Sequence, residues 1–74
     1  MRNKKPICRT SPDGTKRWYL NHQIHREDGP AIEWPDGTKY WVLNDYFYPS
    51  ETDYYRELHK RGKISREELF INLI

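Results

Sequence analysis

The sequence predicts an α+β chain: an antiparallel β-meander of about five to six short strands, capped by a C-terminal helical hairpin. Three observations carry this. Pro12-Asp13-Gly14-Thr15-Lys16 recurs as Pro35-Asp36-Gly37-Thr38-Lys39, an offset of 23 residues. Each copy runs into an alternating stretch that ends in asparagine, Arg17-Trp18-Tyr19-Leu20-Asn21 and Tyr40-Trp41-Val42-Leu43-Asn44, so that eight of ten paired positions are identical. Beyond residue 48 the pattern gives way to two sets of helix-capping signals. The expected division is one domain over 1–74, with a hairpin region at 7–48 and two short helices at 50–74.

The repeated unit has a readable mechanism. Proline presets φ at the start of a turn, the Asp13 or Asp36 side chain bonds its own downstream backbone, and Gly14 or Gly37 supplies a positive φ. Pro-Asp-Gly between β-prone stretches therefore predicts a hairpin. In the following strands Trp18 and Leu20 share one face, as do Trp41 and Leu43, and these four are assigned to a common core face. Arg17 and Tyr19 point the other way. Tyr40 and Val42 replace them in the second copy, which predicts a more apolar, covered outer face there. Partner strands are expected at 7–10, 23–25, 31–34 and 46–48, with Ile32 and Trp34 facing the core.

The helical part follows from its caps. Ser50 is an N-cap with Asp53 three residues on, Pro49 can staple onto Tyr54, and Tyr54, Leu58 and Arg61 form one stripe. Gly62 suits the C′ position, and Lys60 and Arg61 lie where cations favour the helix dipole. Ser65-Arg66-Glu67-Glu68 is a capping box, with Ile64 stapling onto Leu69, and Leu69–Leu73 and Phe70–Ile74 are i,i+4 pairs. Helices this short are not stable alone, so both are expected to dock on an open face or edge of the sheet.

His25-Arg26-Glu27-Asp28-Gly29-Pro30-Ala31, followed by Asp36-Gly37-Thr38-Lys39-Tyr40-Trp41-Val42-Leu43-Asn44, resembles the MORN-like repeat variants. In those, an N-G-x-x-H-R-x-D-G-P-A segment alternates with D-G-x-x-x-W-x-x-N. The resemblance spans residues 10–48. It implies a β-hairpin array of the kind common in bacteriophage and large-virus proteins, without an assigned biochemistry. Two departures stand out: Asn21-His22 and Asn44-Asp45 replace the Asn-Gly turn, and Tyr48-Pro49-Ser50-Glu51-Thr52-Asp53 replaces the second His-Arg-Glu-Asp-Gly-Pro segment. The latter fits the point where the helical cap takes over.

Composition narrows the function classes. Eleven aromatic rings compensate for a hydrophobic share of only 35%. Cys8 is the only cysteine, so no internal disulfide staples the fold, which fits a reducing cytoplasm. No apolar run approaches a membrane span, and no signal-peptide stretch follows the basic start. The chain is therefore read as cytoplasmic and made at this length, in the host cytoplasm if of phage origin. No enzyme is expected. The Gly residues are isolated, Ser11, Ser50 and Ser65 sit at turns or caps, and so small a chain is not expected to build a pocket of about 300 Å³. No cofactor or metal is expected either: His22 and His25, three apart on a strand, should diverge, and His59 has no partner nearby. Asp28 and Gly29 are expected to form a turn, with Arg26 bonding carboxylate or backbone groups around it.

Surface chemistry then supplies the functional expectations. Exposed-side Tyr19, Tyr46 and Tyr48 beside Arg17 and Arg26 match the residue types of interface hot spots. They point to a non-catalytic protein-binding module. The resemblance narrows this to a phage-type effector that binds and inhibits or redirects a host defence protein. Residues 1–26 carry seven Lys/Arg against one acid, while 27–74 carry six against ten. The basic half, Lys4, Lys5, Arg9 and Lys16 with Trp18 and Tyr19 nearby, supports a second expectation, a nucleic-acid-binding protein. A structural or virion-associated part is the third, because hairpin arrays have edges that pair.

Overall fold

The computed structural model describes residues 5–73, with the backbone alone for 72 and 73. Six strands form an antiparallel arrangement: β1 (Ile7–Thr10), β2 (Lys16–Leu20), β3 (Gln23–Ile24), β4 (Ile32–Glu33), β5 (Lys39–Leu43) and β6 (Tyr46–Tyr48). Two helices follow, α1 (Glu51–Lys60) and α2 (Arg66–Leu73). The order across the sheet is β1-β2-β4-β5-β6, with β3 also paired to β2.

The 23-residue offset carries over into strand register. Arg9 opposes Arg17 as Ile32 opposes Tyr40, and Tyr19 opposes Ile24 as Val42 opposes Phe47. Each Pro-Asp-Gly loop turns on a positive-φ glycine, Gly14 at 95° and Gly37 at 94°. Asp13 Oδ1 accepts the Thr15 N–H and Asp36 Oδ1 the Thr38 N–H, both at 2.9 Å. These bonds hold both carboxyls below the usual carboxylate range. The missing Asn-Gly turns are made without glycine. Asn21 and His22 sit at φ 53° and 66°, Asn44 and Asp45 at 51° and 65°, the double positive φ that a two-residue hairpin loop requires.

β3 and β4 both run antiparallel to β2, so they share one lane of the sheet. β5 closes that lane: Asp45 N–H donates to Ile24 O, Arg26 N–H to Val42 O and Ala31 N–H to Tyr40 O. Between β3 and β4 the chain loops out of the lane over residues 25–31.

Both predicted caps of the helical part form. Ser50 Oγ accepts the Asp53 N–H, and Gly62 takes φ 77° just beyond the Arg61 C-cap. Ser65 N–H donates to Glu68 Oε1 while Glu68 N–H donates to Ser65 Oγ, the reciprocal pair of a capping box. The main helix–sheet contacts are those of α1 with β5 and β6, however. α2 packs on α1 and leaves Phe70 and Ile71 exposed. The expected Leu69–Leu73 and Phe70–Ile74 pairs involve side chains outside the described residues.

The core departs from the sequence expectation. It is divided between the two sides of the sheet. Leu43, Tyr54 and Leu58 are fully buried on one side, with Trp41, Tyr48, Tyr55 and Ile64 against them. Ala31, Ile32 and Val42 make a second cluster, joined by Ile24 and Trp34. Alternation explains this: Ile32 opposes Tyr40, not Trp41, so Ile32 and Trp34 lie on the face opposite Trp41 and Leu43. Trp18 and Leu20 occupy the same register positions as Trp41 and Leu43; both tryptophans are half-buried, but Leu43 is fully buried under α1 where Leu20 is only half-buried.

Candidate functional site

Two surfaces deserve comparison, one on each face of a molecule only 17 Å thick. The first is the loop 25–31, on the helix side. Arg26 Nε donates to Asp28 Oδ1 at 2.9 Å, and its NH1 donates to Pro30 O at 3.0 Å and Glu33 Oε2 at 3.4 Å. The guanidinium carbon stands 4.0 Å from the Trp18 ring centroid, so the cation covers the first tryptophan as α1 covers the second. His25 is buried; its Nδ1 accepts the Asn44 N–H, so Nε2 carries the proton and donates to Glu27 Oε2 at 2.8 Å. From α1, the Tyr54 hydroxyl reaches the carbonyls of Arg26 (2.5 Å) and Gly29 (3.0 Å), with the Gly29 N–H 3.4 Å away. Burial pushes that hydroxyl's pKa well up. The hydrogen bonds of this constellation close the loop. The placing of Asp28, Pro30 and Glu33 two, four and seven positions beyond Arg26 is thus used for internal bonding.

The opposite face is open. Cross-strand partners share a side, which places Ile7, Tyr19 and Ile24 in one row, Arg9, Arg17, Ile32 and Tyr40 in a second, and Val42 and Phe47 in a third. Trp34 joins them edge-on to Tyr40 with ring centroids 4.6 Å apart, and Tyr40 meets Phe47 at 5.7 Å. No helix lies here. Ile7 is 62% exposed, Phe47 49% and Tyr40 40%. The strand positions of this face hold Arg9 and Arg17, directly opposite each other, and no acidic residue. Arg17 NH1 is steadied by Ser11 Oγ at 2.9 Å. At the β1 margin Ile7, Arg9, Tyr19, Asn21 and His22 line an open depression of about 590 Å³. A second, of about 420 Å³, lies among Lys5, Pro6, Trp18, Arg26, Glu27 and Asp28. Both exceed the volume expected for so small a chain, because they are open grooves of a thin sheet.

The candidate residues are divided by the pleat. Arg17 and Tyr19 lie on the open face with Arg9. Arg26 lies across the sheet under the loop, and Tyr46 and Tyr48 stack edge to face (4.7 Å) on the helix side, Tyr48 against Tyr54. Of the basic set, Lys16 stands on the helix side opposite Glu33, Lys5 lies by the second groove, and Lys4 lies outside the described residues. Asp13, Gly14, Asp36 and Gly37 build the turns and Asp28 and Gly29 the loop. Tyr40 lies on the outer face as alternation assigns it, but that face, expected to be covered, leaves Tyr40 and Phe47 exposed, and Trp34 joins it instead of the face of Trp41.

Among the described residues no group of three or more His, Cys, Asp or Glu is placed to hold a metal, and no helix is long and apolar enough to cross a membrane. No family model, curated protein or solved structure matches the chain.

Proposed function

We propose that this chain is a non-catalytic protein-binding module whose open face takes an acidic, aromatic-rich surface of another protein. The observation that carries the reading is the row Arg9–Arg17–Ile32–Tyr40 beside Trp34 and Phe47. Like charges directly opposite each other destabilise a strand pair, and a carboxylate arriving from outside would relieve that repulsion. Aromatic rings with arginine at the margin are the residue types that dominate interface energetics. The resemblance to MORN-like repeats of phage and large viruses supplies the rest of the proposal, a host factor as the partner.

The test compares capture of partners from host lysate by the wild-type chain, by an Arg9→Glu/Arg17→Glu double variant, by Tyr40→Ala and by Lys60→Glu on α1. Binding should be lost in the first two variants and kept in the third. Loss of binding in Lys60→Glu but not in the face variants would refute the assignment. A labelled single-stranded oligonucleotide, titrated with salt, separates the nucleic-acid reading. Tight binding with a steep salt dependence would favour it instead, although the structure divides its basic residues between two faces and covers Trp18 with Arg26.

A further inference from the structure

The junction between the two repeats has an unused counterpart at each flank of the molecule. Inside the chain the first half of β2 pairs with β4, Lys16 opposite Glu33 and Arg17 opposite Ile32, and the Trp18 N–H donates to Ala31 O at 2.9 Å. The 23-residue offset maps β2 onto β5 and β1 onto β4. The same junction, repeated once more, would set a strand like β1 beside Lys39 and Tyr40. Among the described residues no strand pairs there, since β6 pairs with Trp41, Val42 and Leu43 alone. β1 has the matching edge: β4 pairs on both sides, with β2 and β5, whereas among the described residues β1 pairs with β2 only.

The backbone polar groups point the required way. Ser11 N–H donates to Thr15 O at 2.8 Å, which makes Ser11–Thr15 a bonded pair of the first hairpin. Alternation then turns the amides and carbonyls of Cys8 and Thr10 away from β2. In the second hairpin Trp34 N–H donates to Thr38 O at 2.9 Å, so the same rule turns those of Lys39 away from β4, toward the open edge.

We infer that a second copy of this chain adds its β1 beside β5, with Thr10 opposite Lys39 and Arg9 opposite Tyr40, head to tail. The occupant is argued from the fold. β1 already has the register and the following turn of the strand that fills this place internally. No like charges meet in either new pair, and the Arg9 guanidinium comes beside the Tyr40 ring. The contact is heterologous, so copies add as an open filament or close into a ring. This inference is independent of the partner proposed for the open face. A junction this short is weak, with a dissociation constant on the order of 0.1–1 mM.

Sedimentation velocity of the full chain from about 10 µM to about 1 mM, a range that spans that constant, tests it. The weight-average mass should rise roughly twofold or more, as head-to-tail growth requires. Thr10→Pro and Lys39→Pro each remove an N–H that faces an open edge, so circular dichroism should show both folded. Each alone should stay monomeric, because one end of every junction is blocked. Mixed, they should give a one-to-one dimer and nothing larger, since each variant retains the end the other lacks. If a proline variant fails to fold, Thr10→Lys replaces it. Its charge opposite Lys39 should abolish assembly, and mixing with Lys39→Glu should restore it. A wild-type chain that stays monomeric across the range overturns the inference. So does assembly that survives in both variants, or in Lys39→Pro alone, which would indicate a symmetric contact.

Discussion

Replacing Tyr54 by phenylalanine isolates the buried hydroxyl that ties the helical cap to the loop between the repeats. The ring is fully buried, and phenylalanine keeps its contacts with Trp41, Tyr48 and Tyr55. What is lost is a hydroxyl at 2.5 Å from Arg26 O and 3.0 Å from Gly29 O. Leaving buried carbonyls without their donor costs about 1–3 kcal/mol. In a chain whose core supplies roughly 3–5 kcal/mol in all, a loss of about 2 kcal/mol is a large fraction. For a domain of this size that corresponds to a fall in Tm of about 8–16 °C. The assay is thermal unfolding by circular dichroism at neutral pH, with Tyr46→Phe, an exposed hydroxyl, as the control expected within about 0.5 kcal/mol of wild type. The pH dependence adds a second readout. Burial raises the Tyr54 pKa in the folded state, so the neutral phenol's contribution is complete below the unfolded tyrosine value of about 10 and is lost as pH rises beyond it. The gap between wild type and Tyr54→Phe should therefore narrow above about pH 10. A variant as stable as wild type at pH 7 would refute the view that this hydroxyl holds the loop.

Three further outcomes follow from named residues. His22→Gly should stabilise the chain by about 0.5–1 kcal/mol, measured by urea denaturation, because it relieves a left-handed non-glycine residue at a cost in unfolded-state entropy; Asp45→Gly should gain less, since Asp45 Oδ1 accepts the Ile24 N–H at 2.7 Å. In Gly29→Ala the new Cβ would stand 3.0 Å from the Arg26 guanidinium carbon, pushing it off Trp18; a loss of about 1–2 kcal/mol and a shift in tryptophan fluorescence are expected. Because Asp13 and Asp36 have carboxyl pKa values lowered by the Thr15 and Thr38 amides, their stabilisation is present above the unfolded value near 3.8 and lost as pH falls through the folded values, so an Asp13→Ala/Asp36→Ala variant should show a flatter acid limb in a pH series of melting temperatures.

The parts of the fold legible in advance are those fixed by neighbours in sequence. The glycine turns, the Ser50 and Ser65 caps and the two-residue loops after Leu20 and Leu43 each depend on a few adjacent residues. The candidate site was less legible. Arg26 bonds carboxylate and backbone groups around the Asp28-Gly29 turn as expected, but its place over Trp18 appears only in the fold. Trp34 reads as a core partner of Trp41 until register sets it with Tyr40. Arg17 and Tyr19 keep the open side that alternation assigns them, but Tyr46 and Tyr48 lie on the helix side because they pair with Leu43 and Trp41.

By itself the sequence determined the repeat, the strand pairs inside each hairpin and the two helix starts, since local backbone preference and short-range hydrogen bonds set these. Only the tertiary structure decided that β3 and β4 share a lane, that α1 covers one repeat and Arg26 the other, and that an aromatic face with Arg9 and Arg17 is left open. Those outcomes hang on which surfaces compete for one short helix, and burial is a property of the whole packed chain, which no local window of residues contains.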